Sequence, residues 1–242
     1  MGSNSLKHPR VFVGTCGWLY DWNTEGTLDW YISFSGLNAV ELNSSFYRFP
    51  FPNQVKAWAR KSRKLLRWSV KVHRSITHVR KLREESHETW KRFRRLFRPL
   101  ESQIDFYLLQ LPPSFRMGKE SVRRLKLFAE ISGLGEKLAV EFRHQSWFTN
   151  ETLSIVKDIG ATIVSFDSPI GTRIWTTNGI VYLRLHGREE WYAYEYTHKE
   201  LKEIVEAIAK LSPQKVYVFF NNNHWMLENA REMLRLLKEK LY

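Results

Sequence analysis

The chain has little that would tie it to a disulfide scaffold, a zinc site or a membrane. Its 242 residues include one cysteine, Cys16, which excludes an intrachain disulfide and leaves no partner for a CxxC motif. No apolar run approaches the roughly 18 residues of a membrane-spanning helix, and residues 1–9 lack the apolar core of a signal peptide. We therefore expect a cytoplasmic protein with no membrane partner and a disordered lead-in over residues 1–9.

Glycine-rich phosphate loops are also missing. The turn after the first predicted strand reads GTCGW, which does not fit GxGxxG, and the chain contains no Walker-type phosphate loop. An open doubly wound sheet that binds nucleotides usually carries such a turn after its first strand. Its absence favours a different α/β architecture.

Acidic residues are scarce in one part of the chain. The net charge is +13, and residues 56–98 hold 16 Lys or Arg against three acids, so this segment alone carries the whole excess. A basic block of this kind is typical of a surface that contacts nucleic acid or another phosphate-rich ligand. A solvated helix face would carry the same charges without a partner, and the sequence leaves both interpretations open.

Apolar segments with strand-like alternation recur eight times and mostly alternate with helical patterns. They are residues 10–15, 39–43, 67–73, 105–111, 137–142, 161–166, 180–186 and 215–221. Without hairpin signals between them they predict a parallel sheet, and eight units predict an α/β fold with a single (β/α)8 TIM-type barrel over residues 10–242. Residues 168–179 are too few and too rich in Gly and Pro for a full helix, so we expect a reduced or missing helix between strands 6 and 7.

Polar residues near the ends of these strands fall on the same side of each strand. If the aliphatic side of each strand packs on the outer helices, the inward side carries Glu41, Lys71, Gln110, Glu141, Asp167, Arg184 and His186. Catalytic residues of barrel enzymes lie at this end of the strands, whereas the barrel interior otherwise prefers branched apolar residues. We therefore predict catalytic roles for Glu141, Glu41, Lys71, His186 and Asp167.

The loops beyond the strands add further polar and aromatic side chains. The predicted substrate-binding residues are Trp18, Tyr20, Asn43, Tyr47, His78, Gln110, Arg143, His144, Trp147, Arg184, Asn221 and Asn222. Aromatic rings in such loops stack on a sugar or on a base equally well. Cys16 has no adjacent histidine in the sequence, so we interpret it as a small buried residue rather than a nucleophile.

A divalent metal is one candidate cofactor for this ring. Glu141, Asp167 and His186 are predicted on adjacent strands and would offer oxygen-rich ligands to Mg²⁺ or Mn²⁺, which suits hydrolysis of a phosphoester. Lys71 argues against this site, because its ammonium would weaken cation binding and would itself bind an anionic oxygen.

A metal-free alternative uses the same residues. Glu141 or Glu41 would act as general base and His186 as general acid. Lys71 and an arginine of the ring or its loops would then hold a phosphate or a carboxylate. The two carboxylates also fit glycoside hydrolysis, in which their separation decides the mechanism.

Seven blocks of the sequence resemble the signature segments of a known family. The blocks are GTCGWLYDW (14–22), VELNSSFYRFP (40–50), SVKVHRSITH (69–78), LLQLPPSF (108–115), AVEFRHQSW (139–147), YLRLHGR (182–188) and FFNNN with ENA (219–223, 228–230). They resemble the YecE-like family, domain of unknown function 72, over essentially the whole chain. The resemblance implies a TIM-type barrel with its site at the rim, and it leaves the reaction open.

We therefore expect an uncharacterised TIM-barrel protein, of hydrolase type, that acts on a phosphate-bearing substrate, with nucleic acid as one candidate. A non-catalytic protein that binds nucleic acid or another polyanion is the first alternative, and a sugar-active barrel enzyme is the second. The basic segment 56–98 is the predicted contact for a phosphate-rich partner.

Overall fold

Eight parallel strands form the centre of the protein in a computed structural model that describes residues 8–242. The strands are β1 (Arg10–Thr15), β2 (Ala39–Leu42), β3 (Arg67–Lys71), β4 (Ile104–Gln110), β5 (Leu138–Glu141), β6 (Thr162–Ser168), the short antiparallel β7 (Gly171–Arg173), β8 (Ile180–Leu185) and β9 (Lys215–Phe220). Strand β9 pairs with β1, and β5 with β6, which closes the barrel. The predicted parallel barrel is confirmed. Of the lead-in predicted for residues 1–9, residues 1–7 lie outside the described residues.

Helices cover the outside of the barrel. They are α1 (Leu28–Phe34), α2 (Pro52–Lys61), α3 (His87–Leu96), α4 (Lys119–Ser132), α5 (Asn150–Asp158), α6 (His198–Lys210) and α7 (Met226–Leu241). None of the helices in residues 8–242 combines the length and the apolar character needed to cross a bilayer.

Threonines cap three of these helices. The hydroxyls of Thr27, Thr149 and Thr197 accept backbone N–H groups of the first turns of α1, α5 and α6. Ser86, which the sequence suggests as the cap of α3, makes no such bond, because its hydroxyl donates to the carbonyl of Arg83 in the preceding turn.

The connection from β6 to β8 differs from the other crossovers. Strand β6 continues to Ser168, past its predicted end, and turns back into β7 with Asp167 opposite Thr172. The absence of a helix in this connection is confirmed, but the hairpin was not expected. Its two-residue turn, Pro169 and Ile170, lacks the Asn-Gly or Asp-Gly pair that marks most hairpins.

Apolar side chains fill the barrel on both faces of the sheet. A large cluster packs between the strands and the helices, and a smaller one, including Phe106, Leu108 and Tyr182, fills the interior. At the N-terminal end, a register shift in the pairing of β3 with β4 accompanies an ion pair of Asp105 with Arg67. Polar groups therefore collect at the two ends of the barrel, and the C-terminal end holds the larger set.

Gly14 marks the closest approach of β1 to β2. A Cβ at this position would lie 2.2 Å from the backbone oxygen of Ala39, which cannot move without breaking the strand pairing. We expect Gly14→Ala to lower the free energy of unfolding by about 2 kcal/mol or more, measured by urea denaturation. Gly118→Ala is the matched control, because a Cβ there meets nothing within 4 Å. Equal unfolding midpoints for the two variants would contradict this account.

Candidate active site

A buried arginine lies between two carboxylates at the C-terminal end of the barrel strands. We call the mostly buried cluster of ionisable side chains at this end, Glu41, Lys71, Glu141, Arg143, Arg184 and His186, the mouth of the barrel. Arg184 on β8 is fully buried. Its Nε and Nη2 donate to Oε1 of Glu41 at 3.1 and 2.6 Å, and its Nη1 donates to Oε2 of Glu141 at 2.5 Å. Because Glu41 lies on β2 and Glu141 on β5, one guanidinium connects three separate strands. Each of these buried charges thereby has the partner that it needs to be tolerated.

Both oxygens of Glu41 are fully occupied. Besides Arg184, Oε1 accepts from the thiol of Cys16 at 2.9 Å, and Oε2 accepts from the hydroxyl of Tyr182 at 2.5 Å. Burial, followed by the charge of Glu41, raises the pKa of the Cys16 thiol well above its usual value, so the thiol remains a protonated donor. Glu41 thus has no oxygen left for a substrate, which argues against its predicted role as general base.

Glu141 holds one oxygen in an ion pair without an aligned hydrogen bond. Its Oε1 lies 2.5 Å from Nη2 of Arg143, but the two groups are misaligned and no hydrogen bond from the described residues reaches this oxygen. Burial alone would raise the pKa of Glu141, yet the charges of Arg143 and Arg184 outweigh it and hold this pKa well below its usual range. Glu141 is therefore ionised at neutral pH, with its Oε1 in ion-pair contact with Arg143.

His186 is a neutral histidine held by Arg143. Burial, followed by the charge of Arg143, lowers the pKa of His186 to about 3. Arg143 Nη2 lies 3.0 Å from Nε2 of the ring, and since a guanidinium only donates, Nε2 is the acceptor and Nδ1 carries the proton. The side-chain Nδ2 of Asn221 lies 3.2 Å from Nδ1, and because Nδ2 also donates, Asn221 accepts from this ring only with its amide rotated to present the oxygen. A neutral ring in this arrangement does not fit the predicted role of general acid.

Lys71 is a buried ammonium that rests on an aromatic ring instead of a carboxylate. Its side chain lies at the end of β3 and its residue is 8% exposed. The Nζ atom lies 4.3 Å from the ring centre of Phe46, and no carboxylate of residues 8–242 comes within ion-pair distance of it. Burial, followed by the charge of Arg184, lowers the pKa of Lys71 to about 8. This group changes protonation close to neutral pH.

The charges of the mouth do not balance. Arg143, Arg184 and Lys71 outnumber the carboxylates Glu41 and Glu141, and neutral His186 adds nothing. Arg143 is itself mostly buried, with 7% of its side chain exposed, and its Nε has no hydrogen-bond partner among the described residues. The mouth therefore carries a local excess of positive charge that suits an anionic ligand.

Aromatic and amide groups surround these cations. The ring of His78 lies edge-on to that of Phe46 at 4.8 Å, and burial followed by the charge of Lys71 lowers its pKa to about 4. Asn43 has a buried Oδ1 without a hydrogen-bond partner in the described chain. On the opposite side, the ring of Trp191 lies 4.8 Å from the guanidinium carbon of Arg143. The cations are therefore surrounded by aromatic rings and by a buried amide oxygen that has no partner.

Sequence comparison decides the family. A family model described as "Protein of unknown function DUF72" matches residues 12–241, nearly the whole barrel. The chain belongs to the DUF72 family. No protein with a curated description matches it.

Solved structures agree with this assignment. A DUF72 family protein from Thermotoga maritima is 32% identical, with 95% of this chain and 98% of that chain covered and a TM-score of 0.81. A DUF72 family protein from Enterococcus faecalis is 25% identical, with coverage of 96% and 98% and a TM-score of 0.80. A xylose isomerase domain containing protein from Salmonella typhimurium, 14% identical with coverage of 85% and 87%, has a TM-score of 0.54 and shares the fold alone.

Asp167 of the DUF72 chain lies on the outer face of the sheet. The register of β6 with β8 pairs Phe166 with Arg184 and Asp167 with Leu185, which packs in the outer cluster. Because side chains alternate along a strand, the inward position belongs to Phe166. The prediction that Asp167 faces the barrel interior was wrong.

Asp167 instead fastens the loop that follows β8. Its Oδ1 accepts from the hydroxyl of Tyr196 at 2.8 Å, and its Oδ2 accepts from Thr172 at 2.6 Å and from Nε of Arg188 at 3.1 Å. All its oxygens are therefore used in positioning the loop that carries Trp191.

The predicted metal ligands are not brought together. Asp167 lies on the other face of the sheet from Glu141 and His186, and Arg143 contacts both of the latter residues. In the part of the chain that the structure describes, no group of three His, Cys, Asp or Glu side chains is arranged to hold a metal ion. The side chains present do not fit the Mg²⁺ or Mn²⁺ site that the sequence suggested.

Two tryptophans predicted to contact substrate are core residues. The ring of Trp18 packs edge-on against Trp68 at 5.8 Å, between the sheet and the outer helices. Trp147 is fully buried, stacks on Phe142 at 4.2 Å and donates its Nε1 to the carbonyl of Phe115. Neither ring reaches the mouth.

Other predicted binding residues divide between rim and scaffold. Asn222 donates to the carbonyl of Tyr194 and His144 accepts from the backbone of Ser146, so both fix loops. The remaining ones lie at or near the rim: Gln110, opposite Glu141 in the register; Tyr20, whose hydroxyl donates to the carbonyl of Cys16; and Tyr47, which is 67% exposed.

Two polar residues of the barrel interior, Tyr182 and Ser69, were not predicted from the sequence. Tyr182 bonds Glu41, and its hydroxyl lies 2.6 Å from that of Ser69. Each stands two residues before a predicted inward residue, Arg184 or Lys71, and therefore on the same face. Applying the parity rule along the full length of each strand would have found both.

His186 makes the folded protein sensitive to acid. Its pKa of about 3 in the folded state is lower than the value of about 6.5 in an unfolded chain. Between these values the unfolded state binds one more proton, so stability decreases as pH falls through this range. We expect His186→Gln to flatten the loss of unfolding free energy between pH 7 and pH 4.5, measured by urea denaturation.

His224→Gln is the control for this experiment, because the His224 side chain is 71% exposed on the surface. We expect this variant to keep the wild-type dependence on pH. An unchanged pH dependence in the His186 variant would contradict the assignment of a buried neutral ring.

Proposed function

We propose that this DUF72 protein is an enzyme of hydrolase type that binds a phosphate-bearing substrate in the mouth of its barrel. The observation that carries the proposal is Lys71, a buried ammonium without a carboxylate partner in a mouth with excess positive charge. A buried unpaired charge is costly, and an anionic ligand would supply the missing partner. Arg143, mostly buried and with an unpartnered Nε, would contact the same ligand.

The groups around Lys71 fit acid–base chemistry on such a substrate. Oε1 of Glu141, which is ion-paired with Arg143 but accepts no hydrogen bond from the described residues, would accept one from an attacking water and orient it toward phosphorus. Lys71, whose pKa of about 8 suits proton donation near neutral pH, would protonate the leaving oxygen. Arg143 would stabilise the charge that develops on the phosphoryl oxygens.

The alternative of a sugar-active enzyme has less support. Glycoside hydrolysis uses a carboxylic acid whose pKa is raised so that it remains protonated. The pKa of Glu141 is lowered instead, and both oxygens of Glu41 already accept hydrogen bonds. Neither carboxylate fits the role of proton donor.

Removing the Lys71 charge tests the anion site directly. We expect Lys71→Met to weaken inorganic phosphate binding at pH 7 at least tenfold, measured by titration calorimetry. We also expect wild-type affinity to fall as pH rises through about 8, where Lys71 loses its proton. Lys202→Met, which removes one exposed charge from α6, is the matched control and should bind as the wild type does. Equal affinities for the two variants would exclude Lys71 from the anion site.

A second candidate function, the binding of nucleic acid or another polyanion, is supported by exposed arginines on α3 and in the turn that follows it. Arg92, Arg95 and Arg98 are exposed. A groove of about 470 Å³ beside them is lined by Lys56, Arg92 and Arg95, together with apolar side chains. Arg94 is not counted with these exposed arginines, because its guanidinium donates to the carbonyl of Ser132. The phosphates of a nucleic-acid strand would fit this surface.

Charge reversal on α3 and in the turn after it tests the second candidate. We expect the triple variant Arg92→Glu, Arg95→Glu and Arg98→Glu to bind a single-stranded oligonucleotide at least tenfold more weakly at low salt, with a shallower salt dependence. The readout is fluorescence anisotropy. Reversal of the exposed lysines of α6, Lys199, Lys202 and Lys210, is the matched control for net charge. The same loss in both triple variants would contradict a specific role for α3.

A further inference from the structure

Lys71 differs from every other lysine in residues 8–242. It is the one lysine of this part of the chain that is buried. Lysines elsewhere are solvated or pair with acids, as Lys215 does with Glu136. The two carboxylates of the mouth do not hold its charge, because Arg184 occupies an oxygen of each. The surroundings of Lys71 therefore favour an uncharged amine more than those of any other lysine described.

We propose that Lys71 is an amine nucleophile that forms an imine with the carbonyl carbon of an aldehyde or ketone bearing a phosphate or carboxylate group. This activity goes beyond phosphoester hydrolysis and rests on the proposed function only in sharing the anion-binding mouth. A lysine that is desolvated and lies near other cations is activated for such attack, because its neutral form holds the lone pair that attacks. Burial and Arg184 together lower the pKa of Lys71 to about 8, which leaves a useful neutral fraction near physiological pH.

The step balances without an oxidant or a reductant. The Nζ lone pair attacks the carbonyl carbon, a C–N bond forms as the C=O π bond breaks, and one of the two Nζ protons is transferred to the oxygen to give a neutral carbinolamine. The carbinolamine then loses its hydroxyl group and an Nζ proton as water, which leaves a C=N bond. The product, once protonated, is a cation at the position of the ammonium, where the face of the Phe46 ring at 4.3 Å stabilises it.

The space next to the mouth suits a ligand of this class. A groove of about 530 Å³ is lined by Arg143, His144, Gln145, Phe148, Ile170 and Arg173. Arg143 lines this groove and also contacts Glu141, so the groove lies beside the charged cluster. A volume of this size accommodates a small metabolite, and Arg143 and Arg173 would contact its anionic group.

Pyridoxal 5′-phosphate is a suitable probe because it combines an aldehyde with a phosphate. The wild-type protein is incubated with the probe at pH 8, the imine is reduced with sodium borohydride, and the labelled lysines are identified by peptide mass mapping. We expect Lys71 to be labelled at least tenfold faster than the exposed lysines, at a rate that increases as pH rises through about 8. Inorganic phosphate should slow this labelling, and pyridoxal without the phosphate should react more slowly.

Two results would overturn the proposal. One is labelling of exposed lysines while Lys71 stays unmodified, and the other is a Lys71 rate equal to theirs. Equal rates with pyridoxal and its phosphate would overturn the requirement for an anionic group. Lys71→Met should remove the fast labelling phase, with circular dichroism confirming that the variant is folded. Phosphate binding measured by calorimetry reports on the proposed function separately, so failure of one does not imply failure of the other.

Discussion

The bridge from Glu41 through Arg184 to Glu141 is the interaction on which the mouth of the barrel depends. Three buried charges on three strands are tolerated only as a complete set, because removal of one partner from a buried ion pair costs about 3–5 kcal/mol. The bridge also decides how the other groups behave. It occupies the carboxylates that would otherwise pair with Lys71, and with Arg143 it keeps Glu141 ionised in a buried position. The free cation is thus a consequence of a saturated ion-pair network.

That free cation connects the two chemistries proposed for this DUF72 barrel. As an ammonium, Lys71 would bind an anion and donate a proton, and as a neutral amine it would attack a carbonyl carbon. A pKa of about 8 makes both forms available in the ordinary pH range. The aromatic ring of Phe46 supports either cation, the ammonium or the iminium, because its face attracts positive charge without neutralising it. One side chain therefore gives the mouth its charge and its reactivity.

Much of the fold was predictable from the sequence, because strand parity and the alternation with helices are local signals. Parity failed at Asp167 because each side of β6 mixes apolar and polar residues. Thr162, Val164 and Phe166 face inward, and Ile163, Ser165 and Asp167 face outward. Residue type alone does not distinguish an aromatic ring in the core from one that lines the site. For this reason Trp18 and Trp147, which pack in the core, were predicted to bind substrate. The charge balance of the mouth could not be predicted from the sequence for a further reason. It depends on which carboxylate reaches Arg184, and that requires distances across the barrel.

A nuclear magnetic resonance titration of the Lys71 side chain tests the central claim most directly. With the lysines isotopically labelled and Lys71 assigned by comparison with Lys71→Arg, the account predicts a midpoint at about pH 8 in the free protein. It also predicts a higher midpoint when phosphate is bound, since an anion stabilises the ammonium. A midpoint near the ordinary lysine value of about 10.4, unaffected by phosphate, would contradict the claim that the mouth holds an unpaired, desolvated cation.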